Sequence, residues 1–294
     1  MSQQDKSQYY VPAQSPWPIV GACAFFLIAF GAGHMVADLQ DPQASQWGSL
    51  LLIAGVLVLF IMLAGWFKDQ INESRSGLHN RQLGISYRQG MLWFIFSEIM
   101  FFAAFFGALL YLRVIAVPWL GGDSNNAMTH AVLWPDFVPQ WPLTETPDGT
   151  KTQAMGYWGL PLINTVILLT SSVTIHFADL GLKKGNRKQL SSMLFITILL
   201  GIGFLFLQVE EYIHAYQDLG LTLSSGVYGN TFFMLTGFHG LHVTLGTLFL
   251  LVMWLRIVRG HFSSENHFAF LAASWYWHFV DIVWLCLFLF VYVL

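Results

Sequence analysis

Charged residues are scarce in this sequence. Asp, Glu, Lys and Arg together make up 10% of its 294 residues, whereas a soluble domain usually carries about 25%. The net charge of −3 and the total of 13 Lys plus Arg provide no broad basic surface for binding a nucleic acid. Hydrophobic residues account for 55% and aromatic residues for 16%, a composition typical of a membrane protein.

Cysteine is scarce too. Cys23 and Cys286 both fall in apolar runs, so the sequence contains neither a disulfide framework nor a Cys-x-x-Cys site. We interpret both as small buried hydrophobic residues. The polar segment 1–14 lacks the basic region of a signal peptide and the Arg-rich composition of a transit peptide. We therefore expect the first apolar run to be an uncleaved membrane span.

Long apolar runs, by contrast, are abundant. Seven of them reach the length of about 18 residues that a helix needs to cross the hydrocarbon core. The sequence predicts an all-α polytopic membrane protein, and no internal repeat of the kind found in many transporters is evident. The predicted spans are 17–35, 47–67, 90–115, 157–180, 190–216, 230–258 and 268–294.

Basic residues alternate between the loops. Of the 13 Lys and Arg residues, only Arg113 and Lys151 fall on the acidic side. The positive-inside rule then places the N-terminus in the cytoplasm and the C-terminus in the periplasm of a bacterial inner membrane. We expect an ordered external loop at 116–156. The polar stretch 68–89 is a candidate for a short helix lying against the membrane.

Glu98 is the one acidic or basic residue within 90–111, and a carboxyl group in hydrocarbon needs a partner. At about 1.5 Å per residue, Glu98 and His242 both lie about 12 Å from the cytoplasmic side, and His239 about 16 Å. On the last span, His278 lies at about 15 Å and Asp281 at about 20 Å. We predict a buried polar layer of these five residues, in which Glu98 hydrogen-bonds His242.

A metal site is the first alternative for these polar residues. Glu211 and His214 match the Glu-x-x-His spacing of helical di-iron proteins, which need two such motifs. Glu211 lies about 30 Å from the cytoplasmic side, almost 20 Å from Glu98 along the membrane normal. We therefore predict no metal site and no catalytic residue. The periplasmic group is interpreted as solvated or locally paired: Gln208, Glu210, Glu211, His214 and Asp218.

Two interpretations of the polar layer remain open. It could join helices, as interhelical hydrogen bonds often do in membrane proteins, or it could form part of a proton relay. A relay needs a continuous polar chain, and the first two spans contain almost no polar residue to extend one. We favour the role in joining helices.

Basic and aromatic residues also gather at the cytoplasmic ends of the spans. Such residues suit an anionic phospholipid headgroup, although ordinary positive-inside charge explains them equally well. The candidate lipid-binding residues are Trp66, Lys68, His79, Arg256, Arg259 and His261.

Five separated strings make the chain recognisable. They are Ser-Pro-Trp-Pro at 15–18, Phe-Ser-Glu-Ile-Met-Phe-Phe at 96–102, Gln-Val-Glu-Glu-Tyr at 208–212, Thr-Phe-Phe-Met-Leu-Thr-Gly-Phe-His-Gly-Leu-His-Val at 231–243 and Trp-Tyr-Trp-His-Phe-Val-Asp-Ile-Val-Trp at 275–284. On these residues the chain resembles subunit III of the cytochrome c oxidases in the haem-copper superfamily. Glu98 matches the buried glutamate of that family.

The resemblance implies a non-catalytic subunit of an aa3-type, proton-pumping oxidase. Haems and copper would belong to partner subunits I and II, cytochrome c would be the substrate of the complex, and this chain would bind no redox cofactor. It also implies one membrane domain, 1–294, shaped as a V with a two-helix arm at about 17–67 and a five-helix arm at about 90–294. Structural phospholipids would fill the cleft.

The functions implied by the resemblance are stabilisation of subunit I, support of proton uptake and a route for oxygen. The alternative is a proton channel or secondary transporter that uses Glu98 and the intramembrane histidines directly. That alternative predicts transport by the isolated chain in liposomes. A further alternative is an assembly scaffold without effect on turnover.

Overall fold

The structure is a computed structural model that describes residues 10–11, 14–38, 47–79, 81–262 and 267–294. Most of the N-terminal segment 1–14, used above to expect an uncleaved first span, lies outside the described residues. Seven helices of the described residues are long and apolar enough to cross a membrane, which confirms the all-α, seven-span prediction. The α-helices are α1 Trp17–Ala37, α2 Trp47–Arg75, α3 Arg81–Tyr111, α4 Val117–Leu120, α5 Ala127–Leu133, α6 Leu160–Lys183, α7 Arg187–Gln217, α8 Val227–Val258 and α9 Phe268–Leu287.

The polar stretch 68–89 is organised differently from the expectation. No separate short helix occupies the described part of 68–89, because α2 continues to Arg75 and α3 already begins at Arg81. Scans for apolar runs detect only the apolar part of a helix. The helical backbone continues through good helix formers such as Lys68, Gln70 and Gln82.

The third span is longer than α3 itself. A π-helical turn at Leu112–Ala116 joins α3 to α4, so the span ends at Leu120. Pro118 does not interrupt it because the proline occupies the first turn of α4, where its missing N–H is not needed. A second π-helical turn, Phe288–Val293, extends α9 in the same way.

The chain divides into two compact units, Met1–Tyr87 and Arg88–Leu294. In the first unit, α1 and α2 approach so closely that their contact requires glycine. A Cβ atom on Gly31 would lie 2.5 Å from the backbone nitrogen of Leu52, and one on Gly48 would lie 2.9 Å from that of Met35. Small residues of this kind let membrane helices pack backbone against backbone.

Trp277 of α9 fills the centre of the second unit. Its side chain is fully buried, and its indole Nε1 donates a hydrogen bond of 2.9 Å to Ser171 Oγ on α6. A Cβ atom on Gly201 of α7 or Gly246 of α8 would lie 2.7 Å and 3.0 Å from the indole ring. One large side chain thus packs against three neighbouring helices.

Two further hydrogen bonds fix the register of α6 against α9. Trp284 Nε1 donates to Thr165 Oγ1 at 2.9 Å, and Ser172 Oγ lies 2.8 Å from His278 Nδ1. Residue numbers rise along α6 as they fall along α9, so the two helices are antiparallel. The tryptophan bonds satisfy indole N–H groups that would otherwise be buried without a partner.

The segment between α4 and α6 is attached to the loop between α7 and α8. The backbone N–H of Gln153 donates to Leu219 O at 3.0 Å, and that of Met155 donates to Tyr228 Oη at 3.2 Å. The ring of Trp141 packs edge-on against Tyr228 at 5.8 Å. These contacts give the loop an ordered position on the second unit.

The two cysteines do not form a disulfide. Cys286 is partly buried, but Cys23 is exposed on the outer face of α1. The interpretation of Cys23 as a buried residue is therefore wrong. Apolar surroundings in the sequence do not distinguish the inside of a membrane protein from its outer surface, because lipid is as apolar as the core.

Candidate functional site

Glu98 on α3 and His242 on α8 lie at hydrogen-bond distance. Glu98 Oε2 is 2.9 Å from His242 Nε2, and His242 Nδ1 is 2.6 Å from the carbonyl oxygen of Phe238. A carbonyl oxygen can only accept, so Nδ1 carries a proton and donates to Phe238. The pair was predicted from equal depth in the membrane.

This geometry limits the protonation states of the pair. With Nδ1–H committed to Phe238, Nε2 either accepts a hydrogen bond from a neutral carboxyl group or carries a proton and donates a hydrogen bond to a carboxylate. Both forms contain the same proton, and both are electrically neutral overall. Neutrality lowers the cost of holding Glu98 among apolar residues.

Aromatic rings surround the Glu98–His242 pair. The ring of Phe102 lies 4.9 Å from that of His242, Phe101 lies at 6.0 Å, and Tyr276 stacks at 6.3 Å. The side chain of His242 is 9% exposed and that of Glu98 22%. The pair therefore lies at the edge of the second unit, with the carboxyl group partly at the surface.

The other residues of the predicted layer make separate contacts. His239 is fully buried, and its Nε2 lies 3.2 Å from the carbonyl oxygen of Val280 on α9. His278 lies 2.8 Å from Ser172, and 3.8 Å separates its Nδ1 from Asp281 Oδ2. Among the described residues, Glu98, His242, His239 and His278 thus take part in three separate interhelical contacts, and Asp281 lies near His278 of its own helix.

A second buried carboxyl group was placed wrongly. Glu211, interpreted above as solvated or locally paired, is fully buried, and Tyr292 Oη donates to its Oε1 at 2.7 Å. Gln208 is also buried and donates from Nε2 to Thr236 O at 2.7 Å. Both follow the buried residues Gly201 and Phe204 at helical spacing on α7, a signal that the sequence already contained.

The remaining three residues of that polar group on and after α7 behave as expected. Glu210, His214 and Asp218 are exposed. His214 Nδ1 lies 2.6 Å from Asp218 Oδ2. In the described part of the chain, no group of three or more His, Cys, Asp or Glu side chains is arranged to hold a metal ion.

In the first unit, the candidate lipid-binding residues differ in exposure. Trp66 and Lys68 are exposed in the C-terminal half of α2, whereas His79 is partly buried against the ring of Tyr87 at 5.3 Å. Burial lowers the pKa of His79, and the nearby charge of Glu73 opposes this effect. His79 is therefore less suited than Lys68 to supply a permanent positive charge.

In the second unit, Arg259 is exposed at the end of α8. Arg256, one turn earlier, is buried, and its guanidinium carbon lies 4.3 Å from the centre of the Phe262 ring. That stacking is a cation–π contact within the chain. His261 is partly buried beside it.

Fold and site define a class: a polytopic helical membrane protein whose intramembrane polar groups join helices. The chain belongs to the cytochrome c oxidase subunit III family, whose family model matches residues 7–294. It is 38% identical over 286 residues to cytochrome c oxidase subunit 3 of Hippopotamus amphibius, with 97% of this chain and 96% of the relative covered. The same protein of Felis catus is 39% identical over 291 residues, and that of Latimeria chalumnae 39% over 286, with the same coverage. The resemblance seen in the sequence is confirmed.

Proposed function

We propose that this chain is the non-catalytic subunit III of an aa3-type, proton-pumping cytochrome c oxidase of a bacterial inner membrane. It packs against subunits I and II, which carry the haems and copper, and cytochrome c is the substrate of the complex. Membership in the family supports the place in a multi-subunit respiratory oxidase. The alternation of basic loops supports the orientation.

The Glu98–His242 hydrogen bond carries the proposal of a stabilising role. It joins α3 to α8 at 2.9 Å, while the rest of this contact consists of aromatic rings such as Phe101 against Phe238 at 5.0 Å. Lipid solvates such rings almost as well as protein does, so polar bonds and close packing decide how membrane helices associate. A firmly held α3 gives subunit I a constant surface to pack against.

Phospholipid binding is proposed at the cytoplasmic ends of the helices. On α2, Lys68 is an exposed cation and Trp66 an exposed aromatic ring, and Arg259 on α8 is a second exposed cation. Each suits an anionic headgroup. Arg256 contributes less directly, by holding Phe262 beneath the surface. Ordered lipids along the subunit then support proton uptake and oxygen access to subunit I.

The decisive experiment compares the oxidase purified with and without this chain. We expect the depleted enzyme to lose activity after fewer turnovers and to pump fewer protons per electron, with full recovery when the chain is added back. The oxygen KM of both forms tests the proposed oxygen route. Identical inactivation rates would contradict the stabilising role, and absence of haem-containing partners from the purified wild-type complex would contradict the whole proposal.

A further inference from the structure

His278 lies on the outward-facing stripe of the most deeply buried span. Most residues of α9 are buried, and its exposed residues Ile282 and Leu285 lie at helical spacing with Leu289 of the π-helical turn that follows. His278 is one turn from Ile282 on this stripe, and its side chain is 38% exposed. It is a polar side chain among apolar neighbours on that surface.

The depth of His278 excludes the usual partners of surface histidines. At about 1.5 Å per residue, it lies about 15 Å from the Phe268 end of α9, near the middle of a hydrocarbon core of about 30 Å. Lipid tails offer no hydrogen bond, and headgroups are too distant to reach the ring. Polar residues at such a depth usually face protein or a water-filled cavity.

The two ring nitrogens of His278 differ in their hydrogen bonding. Nδ1 lies 2.8 Å from Ser172 Oγ on α6 and 3.8 Å from Asp281 Oδ2. Nε2 makes no hydrogen bond to any residue in the described part of the chain. Ser172 anchors the ring so that Nε2 points away from this contact.

Three hydroxyl side chains that are exposed on the spans are satisfied within their own helices. The hydroxyl groups of Ser97, Thr170 and Thr244 donate to carbonyl oxygens of their own helices, at 2.7, 2.7 and 2.8 Å. These residues can face lipid without an unpaired polar atom. His278 differs from them, because its Nδ1 is engaged by Ser172 and its Nε2 has no hydrogen-bond partner among the described residues.

We propose that the face formed by α6 and α9 around His278 docks a transmembrane helix of another oxidase subunit, which presents a hydrogen-bonding side chain to His278 Nε2. The apolar residues Val173 and Ile282 beside the ring, 54% and 61% exposed, supply the packing surface. This inference rests on the proposed place of the chain in an oxidase complex. The inference adds which face of this chain binds the partner helix and which kind of side chain on that helix contacts His278.

The first test measures reassociation of the purified chain with oxidase depleted of it. His278→Leu should weaken binding about fivefold, the equivalent of one hydrogen bond, and His278→Gln should recover part of it. Ile282→Trp blocks the same face without touching the ring or Ser172, and should weaken binding at least as much. Leu248→Trp, at an exposed position of α8, is the matched control and should bind as the wild type does.

The outcomes separate the two proposals. If the wild-type chain does not bind haem-containing subunits, the proposed function and the docking face both fail. If the wild type binds and both His278→Leu and Ile282→Trp bind equally well, only the docking face is overturned. Unchanged thermal unfolding of the isolated Ile282→Trp chain shows that a loss of binding does not come from misfolding.

A photo-crosslinking residue identifies the occupant directly. Ile282→p-benzoylphenylalanine in the intact complex should crosslink to a transmembrane helix of another oxidase subunit, identified by mass spectrometry. Crosslinks only to lipid, or only to a second copy of this chain, would overturn the proposal. The same replacement at Leu248 serves as the control for random crosslinking.

Discussion

The helices inside each of the two compact units pack by different means. In Met1–Tyr87, α1 and α2 pack through glycines such as Gly31 and Gly48, which permit close backbone contact. In Arg88–Leu294, large side chains fill the space between helices and hydrogen-bond across them, as Trp277 does to Ser171 and Tyr292 to Glu211. The first kind of contact depends on the absence of side-chain atoms, and the second depends on their presence. Enlargement of Gly31 should therefore damage the contact between α1 and α2, and truncation of Trp277 should damage the interior of the second unit.

Truncation of Trp277 should have the largest effect. Trp277→Ala removes a fully buried ring and leaves Ser171 without its donor, at a cost of about 3–5 kcal/mol in the free energy of unfolding. The measurement is reversible unfolding of the chain in mixed micelles. Trp93→Ala, at a position 69% exposed on α3, is the control and should change stability by less than about 0.5 kcal/mol. Equal losses at the two positions would mean that the ring at Trp277 does not fill a packed interior.

Enlargement of Gly31 should come next. In Gly31→Ala the new methyl group lies 2.5 Å from Leu52 N and 2.8 Å from Gly48 O, so α1 and α2 must separate, which costs about 1–3 kcal/mol. Gly33→Ala on the same helix is the matched control, because nothing lies within 4 Å of its new methyl group. The same unfolding measurement should find Gly33→Ala neutral or slightly stabilised, since alanine favours helix. A neutral Gly31→Ala would show that the first unit does not depend on backbone contact.

Loss of the Tyr292 hydroxyl tests a polar contact of the second unit. Tyr292→Phe keeps the packing but leaves both oxygens of the buried Glu211 without a hydrogen bond among the described residues. We expect a loss of about 1–2 kcal/mol in the free energy of unfolding. The double mutant with Glu211→Gln should lose less than the sum of the two single mutants, with a coupling of about 0.6–1.7 kcal/mol. Tyr157→Phe, at an exposed position, should have no effect, and a strictly additive double mutant would contradict the contact.

The residues of these contacts differ in how far the sequence alone predicts them. Apolar runs long enough to cross a membrane predict the seven spans. Depth along a straight helix is a simple sum, and it predicts that Glu98 and His242 lie at the same level. The direction in which a side chain points around its helix depends on neighbouring helices. The interpretation of Glu211 as solvated or locally paired therefore misses its burial, and His278, which is predicted to belong to a buried layer, has a side chain that is 38% exposed. Gln208 and Glu211 could have been placed by extending the spacing of Gly201 and Phe204 along α7.

The Glu98–His242 pair should give the smallest effects, because it lies at the edge of the second unit. His242→Leu removes the partner of a carboxyl group that is 22% exposed and can still reach polar surroundings, so we expect a loss of about 1 kcal/mol in the free energy of unfolding. His176→Leu, an exposed histidine on α6, is the control and should have less effect.

Glu98→Gln locates the shared proton of this pair. The glutamine amide can donate to His242 Nε2 just as a neutral carboxyl group does, while Nδ1–H still donates to Phe238 O. If the proton belongs to Glu98, as the surrounding aromatic rings favour, Glu98→Gln should cost less than about 0.5 kcal/mol and preserve the coupling to His242 in a double-mutant cycle. A loss as large as that of His242→Leu would place the proton on the histidine and make the contact an ion pair. The edge of the second unit would then depend on charge, whereas its interior depends on neutral hydrogen bonds and packed rings.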